Sequence, residues 1–246
     1  MHYHWNWTIF WDMTPEGTGT YLHTLLVGLG WTLATGLAAW VIALVLGSIL
    51  GVVRTAPVKW AAAIANAYVE VFRNIPLLVQ LFFWYYIAPV FLSLPWQAVI
   101  NTAQPVLVQT VTAVLCLGLF TAARVCEQVR AGIEAQPKDQ FSAALALGLK
   151  RRQAYRYVIL PMAFRVILPP LTSEFLNVFK NTAVVLTIGL LELTAQSRQV
   201  GEFTGHIFEA FIVATLLYFL IAQTVSRLMG RLERRLTIPG ESGGGR

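Results

Sequence analysis

The sequence predicts an all-α, polytopic membrane protein with about five transmembrane helices. Three observations carry that prediction. Of 246 residues, 57% are hydrophobic and only 12% charged, against about 25% charged in an ordinary soluble domain; the mean hydropathy is +0.62. The apolar residues fall into runs of the roughly 20 residues that a helix needs to cross hydrocarbon. Lysine and arginine gather in alternate loops, the asymmetry that orients a membrane chain. The net charge of +6 comes from those clusters and not from a general basic face, which argues against nucleic acid as a partner.

The first span, from about Thr24 to Val53, holds no charge and ends at Arg54 and Lys59. The second enters near Tyr68 to Arg73 and continues from Leu77 to Val90. Pro76 lies inside it and frees a backbone carbonyl, so Arg73 and Asn74 read as supports of a kink. Gln80 reads as an interhelical hydrogen-bonding residue. An uncharged turn leads to the third span, about Val106 to Cys126. The fourth, about Ile167 to Leu191, is interrupted by Glu174 and Lys180, which neutralise each other in the plainest structural reading. The fifth, about Phe208 to Val225, is followed by Arg227, Arg231, Arg234 and Arg235. Most basic residues follow spans one, three and five, which predicts an outer N-terminus and a cytoplasmic C-terminus.

The ends have their own chemistry. Trp5, Trp7, Phe10 and Trp11 suit an interfacial segment at headgroup level. The start MHYHWNWTIFWDM has neither a basic n-region nor a short apolar h-region, so no cleavable signal peptide is expected. The tail ESGGGR after Pro239 has linker composition and is expected to be disordered. Cys116 and Cys126 share one apolar stretch, which does not suggest a disulfide framework. No nucleophile–base spacing, glycine-rich phosphate loop or metal-ligand cluster occurs, and His2 and His4 are too few and too terminal to form one. Catalytic and metal residues are therefore not expected.

One loop stands apart: Gln140 to Pro161, QFSAALALGLKRRQAYRYVILP. Phe141, Leu145 and Leu149 recur at helical spacing. Gly148 ends a first short helix by taking a positive φ, and the basic run Lys150, Arg151 and Arg152 follows. A second helical pattern through Ala154, Tyr155 and Val158 is expected to break or bend at Leu160-Pro161. The pattern by itself fits either a docking knob or an interfacial helix on anionic headgroups.

This loop resembles the EAA loop of ABC-transporter permeases: E-A-A, three residues, Gly, nine residues, Ile, any residue, Leu-Pro. Ala143, Ala144, Gly148, Val158, Leu160 and Pro161 stand at the matching positions, and Ser142 replaces the leading Glu. YVEVFRNIPLLVQLFFWYYIAP (68–89) and FLNVFKNTAVVLTIGLLELT (175–194) are similar to the second and fourth spans of polar amino-acid permeases of the histidine and glutamine uptake type. LCLGLFTAARVCEQVRAGI (115–133), HWNWTIF and PPLTSE (169–174) resemble more narrowly the glutamate/aspartate import permeases.

The resemblance implies a type I ABC importer permease fold in the bacterial inner membrane. Residues 1–23 would form a periplasmic interfacial segment, 24–235 the permease domain, and 236–246 a cytoplasmic tail. Ala143, Ala144, Gly148, Arg151 and Pro161 would couple to a dimer of cytoplasmic ATP-binding subunits, which bind the ATP; the permease itself needs no cofactor. A second permease subunit in a heterodimer, a periplasmic amino-acid-binding protein and the lipid bilayer are the other implied partners.

Substrate choice must then come from polar groups within the membrane. Arg124 suits a bidentate contact with a substrate carboxylate. Glu127, three residues on, suits the ammonium. Lys180 offers a second positive charge, beside Asn181 and Thr182. Relatives that carry cationic amino acids often have Asp where Asn181 stands, and a neutral Asn does not repel an acidic ligand. The other readings are Arg124 snorkelling to headgroups and an Arg–Glu pair that is purely structural. A permease for glutamine or another neutral amino acid, or an ATPase-independent channel or carrier, remains the alternative function.

Overall fold

The computed structural model describes residues 3–17 and 19–236. Regular structure among them is helical, apart from one isolated antiparallel bridge between Met13 and Thr20. After a 3-10 turn at Trp7–Trp11 the helices are α1 (Tyr21–Thr55), α2 (Lys59–Asn74), α3 (Leu77–Phe82), α4 (Leu94–Thr102), α5 (Pro105–Glu134), α6 (Lys138–Ala146), α7 (Arg151–Ala154), α8 (Leu160–Asn181), α9 (Leu193–Thr204) and α10 (Ile207–Leu236). Four helical stretches are long and apolar enough to cross a membrane: Tyr21–Thr55, Pro105–Glu134, Arg151–Ile188 and Ile207–Arg235. The sharply bent pair Lys59–Asn74 and Leu77–Phe91 makes a fifth if counted as one span.

The helices outrun their apolar windows. The expected third span stops at Cys126, yet α5 continues to Glu134. Hydrophobicity marks where lipid is, whereas the helix ends where its backbone groups find other partners. The expected break at Leu160-Pro161 is also absent. A π turn at Tyr155–Ile159 joins α7 to α8, and Pro161, Pro169 and Pro170 all lie within the helical run. A proline ring clashes with the carbonyl four residues back. The wider π turn lies at that place for Pro161 and lets the helix pass.

The described residues form two compact units. One comprises the residues up to Val41, Ile75–Gly118 and Asn177–Gln223. Its cores include a cluster with Ala39, Leu81, Cys116, Val178 and Val185. A second cluster joins Ile9, Phe10, Leu25, Leu193, Val200 and Ala210. Phe10 is therefore a packed core residue and not the interfacial anchor expected of it, whereas Trp5, Trp7 and Trp11 are exposed. The N-terminal segment is tied down by Glu209, which accepts from the Tyr3 hydroxyl and, at 2.7 Å, from the Asn6 N–H. Gln80 is buried and donates to the Ile75 carbonyl at 2.8 Å, a local bond across the bend between α2 and α3.

The other unit comprises Ile42–Asn74, Leu119–Leu176 and the residues from Thr224. Val69 of α2 packs on Ala123 and Cys126 of α5, with Leu50, Tyr68 and Phe72 around them. Gly47 and Gly51 let α1 approach α5 closely. A Cβ on Gly47 would lie 2.6 Å from the Ala122 carbonyl oxygen, and one on Gly51 2.6 Å from Val129 Cβ. Small residues four apart are the usual device for such backbone contact in a membrane. Cys116 and Cys126, each in its own unit, are buried free thiols. His2 and the tail beyond Leu236 lie outside the described residues.

Candidate functional site

In the second unit three helix segments converge on one carboxylate. Glu127 Oε1 lies 2.6 Å from Arg54 Nη1 and 3.3 Å from Arg73 Nη1, and its Oε2 lies 3.4 Å from Arg130 Nε. Arg54 closes the last turn of α1 and Arg73 the last turn of α2, while Glu127 and Arg130 share a face of α5. Arg54 Nε also donates to Asn66 Oδ1 at 2.5 Å. Glu127 thus neutralises guanidinium groups from three directions.

Arg124 belongs to a different pair. Its Nη1 lies 3.7 Å from Glu174 Oε2 on α8, and its guanidinium sits 5.2 Å from the Phe120 ring centre. The structure pairs Glu174 with Arg124, where the sequence suggested Lys180. Arg124 and Glu127, three residues apart on α5, thus have different ion-pair partners. Arg124 keeps 45% of its side chain exposed, so much of its guanidinium is open to a ligand.

The fourth-span residues belong to the first unit. Lys180 is exposed in the last turn of α8, and Asn181 is half-buried at its end. Thr182 is fully buried, and its Oγ1 donates to the Phe179 carbonyl at 2.7 Å. Its hydroxyl proton is engaged at the helix end.

Sequence reading missed Glu192. It is fully buried and caps α9, accepting from the Ala195 N–H and the Tyr218 hydroxyl, each at 2.9 Å. Thr32 reaches the same carboxylate at 3.4 Å and accepts from the Leu193 N–H at 3.1 Å. Burial pushes the Glu192 carboxyl up, while donors from Thr194, Ala195 and Tyr218 oppose that shift. A Glu before an apolar stretch is a weak N-cap signal beside Ser, Thr, Asp or Asn, which explains the omission.

The loop after α5 folds as a knob. α6 ends in a Schellman turn: Gly148 N–H donates to the Leu145 carbonyl at 2.9 Å and Leu149 N–H to the Ala144 carbonyl at 3.2 Å. Gly148 has φ +85°, the left-handed conformation this turn requires. Gln153 Oε1 accepts from the Lys150 N–H at 2.8 Å and starts α7. Phe141 meets the Tyr155 ring edge-on at 5.7 Å, with the Arg151 guanidinium 5.9 Å from its centre. The Tyr155 hydroxyl donates to the Thr55 carbonyl at 3.3 Å, tying the knob to the end of α1. Ala144 faces inward, whereas Ala143 and Leu147 face out, the latter 83% exposed. Pro161 lies beyond the knob, inside α8.

Residues 43–238 match the family described as binding-protein-dependent transport system inner membrane component. The chain is 44% identical, over 98% of both chains, to the glutamate/aspartate import permease protein GltJ of Escherichia coli K12. It is 36% identical to the glutamate/aspartate import permease protein GltK of Escherichia coli O157:H7, over 86% of this chain and 92% of that one. Among solved structures, an amino acid ABC transporter with histidines aligns with a TM-score of 0.75 and 32% identity, covering 87% of this chain and 95% of the other. The MetNI methionine ABC transporter aligns with a TM-score of 0.71 at 20% identity, over 92% and 100% of the two chains, a likeness of fold. The chain has the type I ABC importer permease fold and belongs to the binding-protein-dependent transport system inner membrane component family.

Proposed function

We infer that the chain is the permease subunit of an ATP-driven importer that carries glutamate and aspartate across the bacterial inner membrane. The observation that carries this reading is the 44% identity to GltJ over 98% of both chains. The exposed Arg124 guanidinium supports it, because a dicarboxylic amino acid needs a cation inside the membrane. Lys180 and the neutral Asn181 are the second group of candidate contacts. Glu127 is better read as a structural counter-charge to its arginines.

ATP is bound by a dimer of cytoplasmic subunits, and the permease carries no cofactor. α6 and the Gly148 turn form the coupling surface, with Ala143, Leu147 and Arg151 toward the ATPase. A second, similar permease completes the path in a heterodimer, a role that the likeness to GltK suits. A periplasmic amino-acid-binding protein delivers the substrate. The loop charges favour a periplasmic N-terminus and a cytoplasmic C-terminus.

Uptake of radiolabelled glutamate by the assembled transporter tests the substrate. Aspartate is expected to compete and glutamine is not. Competition by glutamine alone would move the assignment to a neutral amino acid.

A further inference from the structure

We propose that Arg227, Arg231 and Arg234, near the end of α10, form a binding site for the phosphate headgroup of one anionic phospholipid of the surrounding bilayer. The three line one groove together with Ser226 and Gly230, and each of the three is exposed. Spaced four and three residues apart, they share one face of the helix. None of them takes part in an ion pair among the described residues. The acid of the same stretch, Glu233, accepts from Thr172 Oγ1 of α8 at 2.9 Å. Membrane orientation needs basic residues in number, but not on a shared face. Compensation of the helix dipole accounts for Arg234 and Arg235 in the last turn. It does not account for Arg227, more than two turns from the helix end.

Gly230 is the second observation. A glycine weakens a helix interior, and Gly47 and Gly51 are present where α1 must approach α5. A Cβ on Gly230 would meet one atom within 4 Å, Arg234 Nη1 at 3.8 Å, so no packing among the described residues demands this glycine. Its effect is to leave the floor of the arginine groove open. A phosphate suits that floor, because guanidinium forks bind its oxygens two at a time. The groove sits at one end of a helix long and apolar enough to cross the membrane, where headgroups lie. Leu228 and Leu232, 57% and 40% exposed, stand beside the arginines. A soluble anion leaves these leucines in water, whereas a phospholipid covers them while its phosphate neutralises the arginines. The site is independent of which amino acid the permease carries.

The test is photo-crosslinking of the purified, assembled transporter with a phosphatidylglycerol that carries a diazirine at its headgroup. Label within residues 224–236 is the readout, and unlabelled phosphatidylglycerol or phosphatidylcholine is the competitor. In wild type, phosphatidylglycerol is expected to displace that label at a concentration at least about fivefold lower, the worth of one basic residue at an anionic surface. Label confined to other segments, as when a partner subunit covers this face, overturns the proposal, and so does equal displacement by the two lipids. Displacement by inorganic phosphate as readily as by phosphatidylglycerol would show a soluble-anion site and overturn the lipid assignment. Arg231→Gln should lower the preference about fivefold. Gly230→Leu keeps every charge and fills the groove, so it should lower the preference as well. A Gly230→Leu transporter with the wild-type preference overturns the site, because diffuse attraction would then suffice. The wild-type displacement series needs no variant and decides the question if Gly230→Leu fails to assemble.

Discussion

At the scale of single residues, charge placement separates structure from recognition. Glu127 faces three arginines, of which Arg54 is nearly buried. In Glu127→Gln those cations lose their common counter-charge, and a loss of about 1–3 kcal/mol is expected for one removed charge-assisted partner. Thermal unfolding of the detergent-solubilised complex measures it; an unchanged midpoint would show that water and lipid headgroups screen the cluster. Glu192 gives a pH prediction. Its carboxyl is raised by burial, so the folded state holds the proton more tightly than the unfolded chain. The associated stability is full below the ordinary carboxylate range and falls as pH rises through the raised value. The stability difference between wild type and Glu192→Gln should therefore shift against wild type as pH rises over that window. A pH-independent difference would mean that the carboxyl keeps its ordinary value.

At the scale of elements, the knob after α5 depends on one backbone conformation. Nothing lies within 4 Å of a Cβ placed on Gly148, yet its φ is +85°. Substitution there is opposed by backbone strain, about 1–2 kcal/mol for an ordinary L-residue, and not by crowding. Transport is expected to fall in the order Gly, Asn, Ala, Val, because Asn tolerates the left-handed region best and a β-branched residue worst. Equal rates for Asn and Val would show that the turn is dispensable. The helix beyond it differs from expectation for a related reason. Pro161 signals a break when read from its own ring and missing N–H, but the preceding π turn removes the clash.

At the scale of the whole molecule, the chain belongs to a family of transport-system membrane components, and the proposed function assigns ATP hydrolysis to a separate subunit. Glutamate uptake by reconstituted permeases is expected to vanish when the ATP-binding subunit is omitted or its ATP site inactivated. Persistent uptake would favour an ATPase-independent carrier. The fold that supports this role was largely legible, because hydrocarbon demands long uncharged helices and leaves that demand in the composition. The additional helices α4 and α9 were not legible. They are short, carry no long apolar run, and α9 begins at an atypical cap, Glu192.

By itself the sequence determined the helical membrane class, the charge asymmetry of the loops and the family pattern around Gly148. Each is local: a run of apolar residues, a cluster of cations, a glycine at a fixed spacing. Only the tertiary structure decided which carboxylate meets which arginine. Glu127 and Arg124 are three residues apart, yet Glu127 answers Arg54 and Arg73 while Arg124 answers Glu174. Those partners are remote in sequence and are brought near by helix packing. Coulomb attraction depends on distance in space, so sequence spacing could nominate these charges but could not pair them.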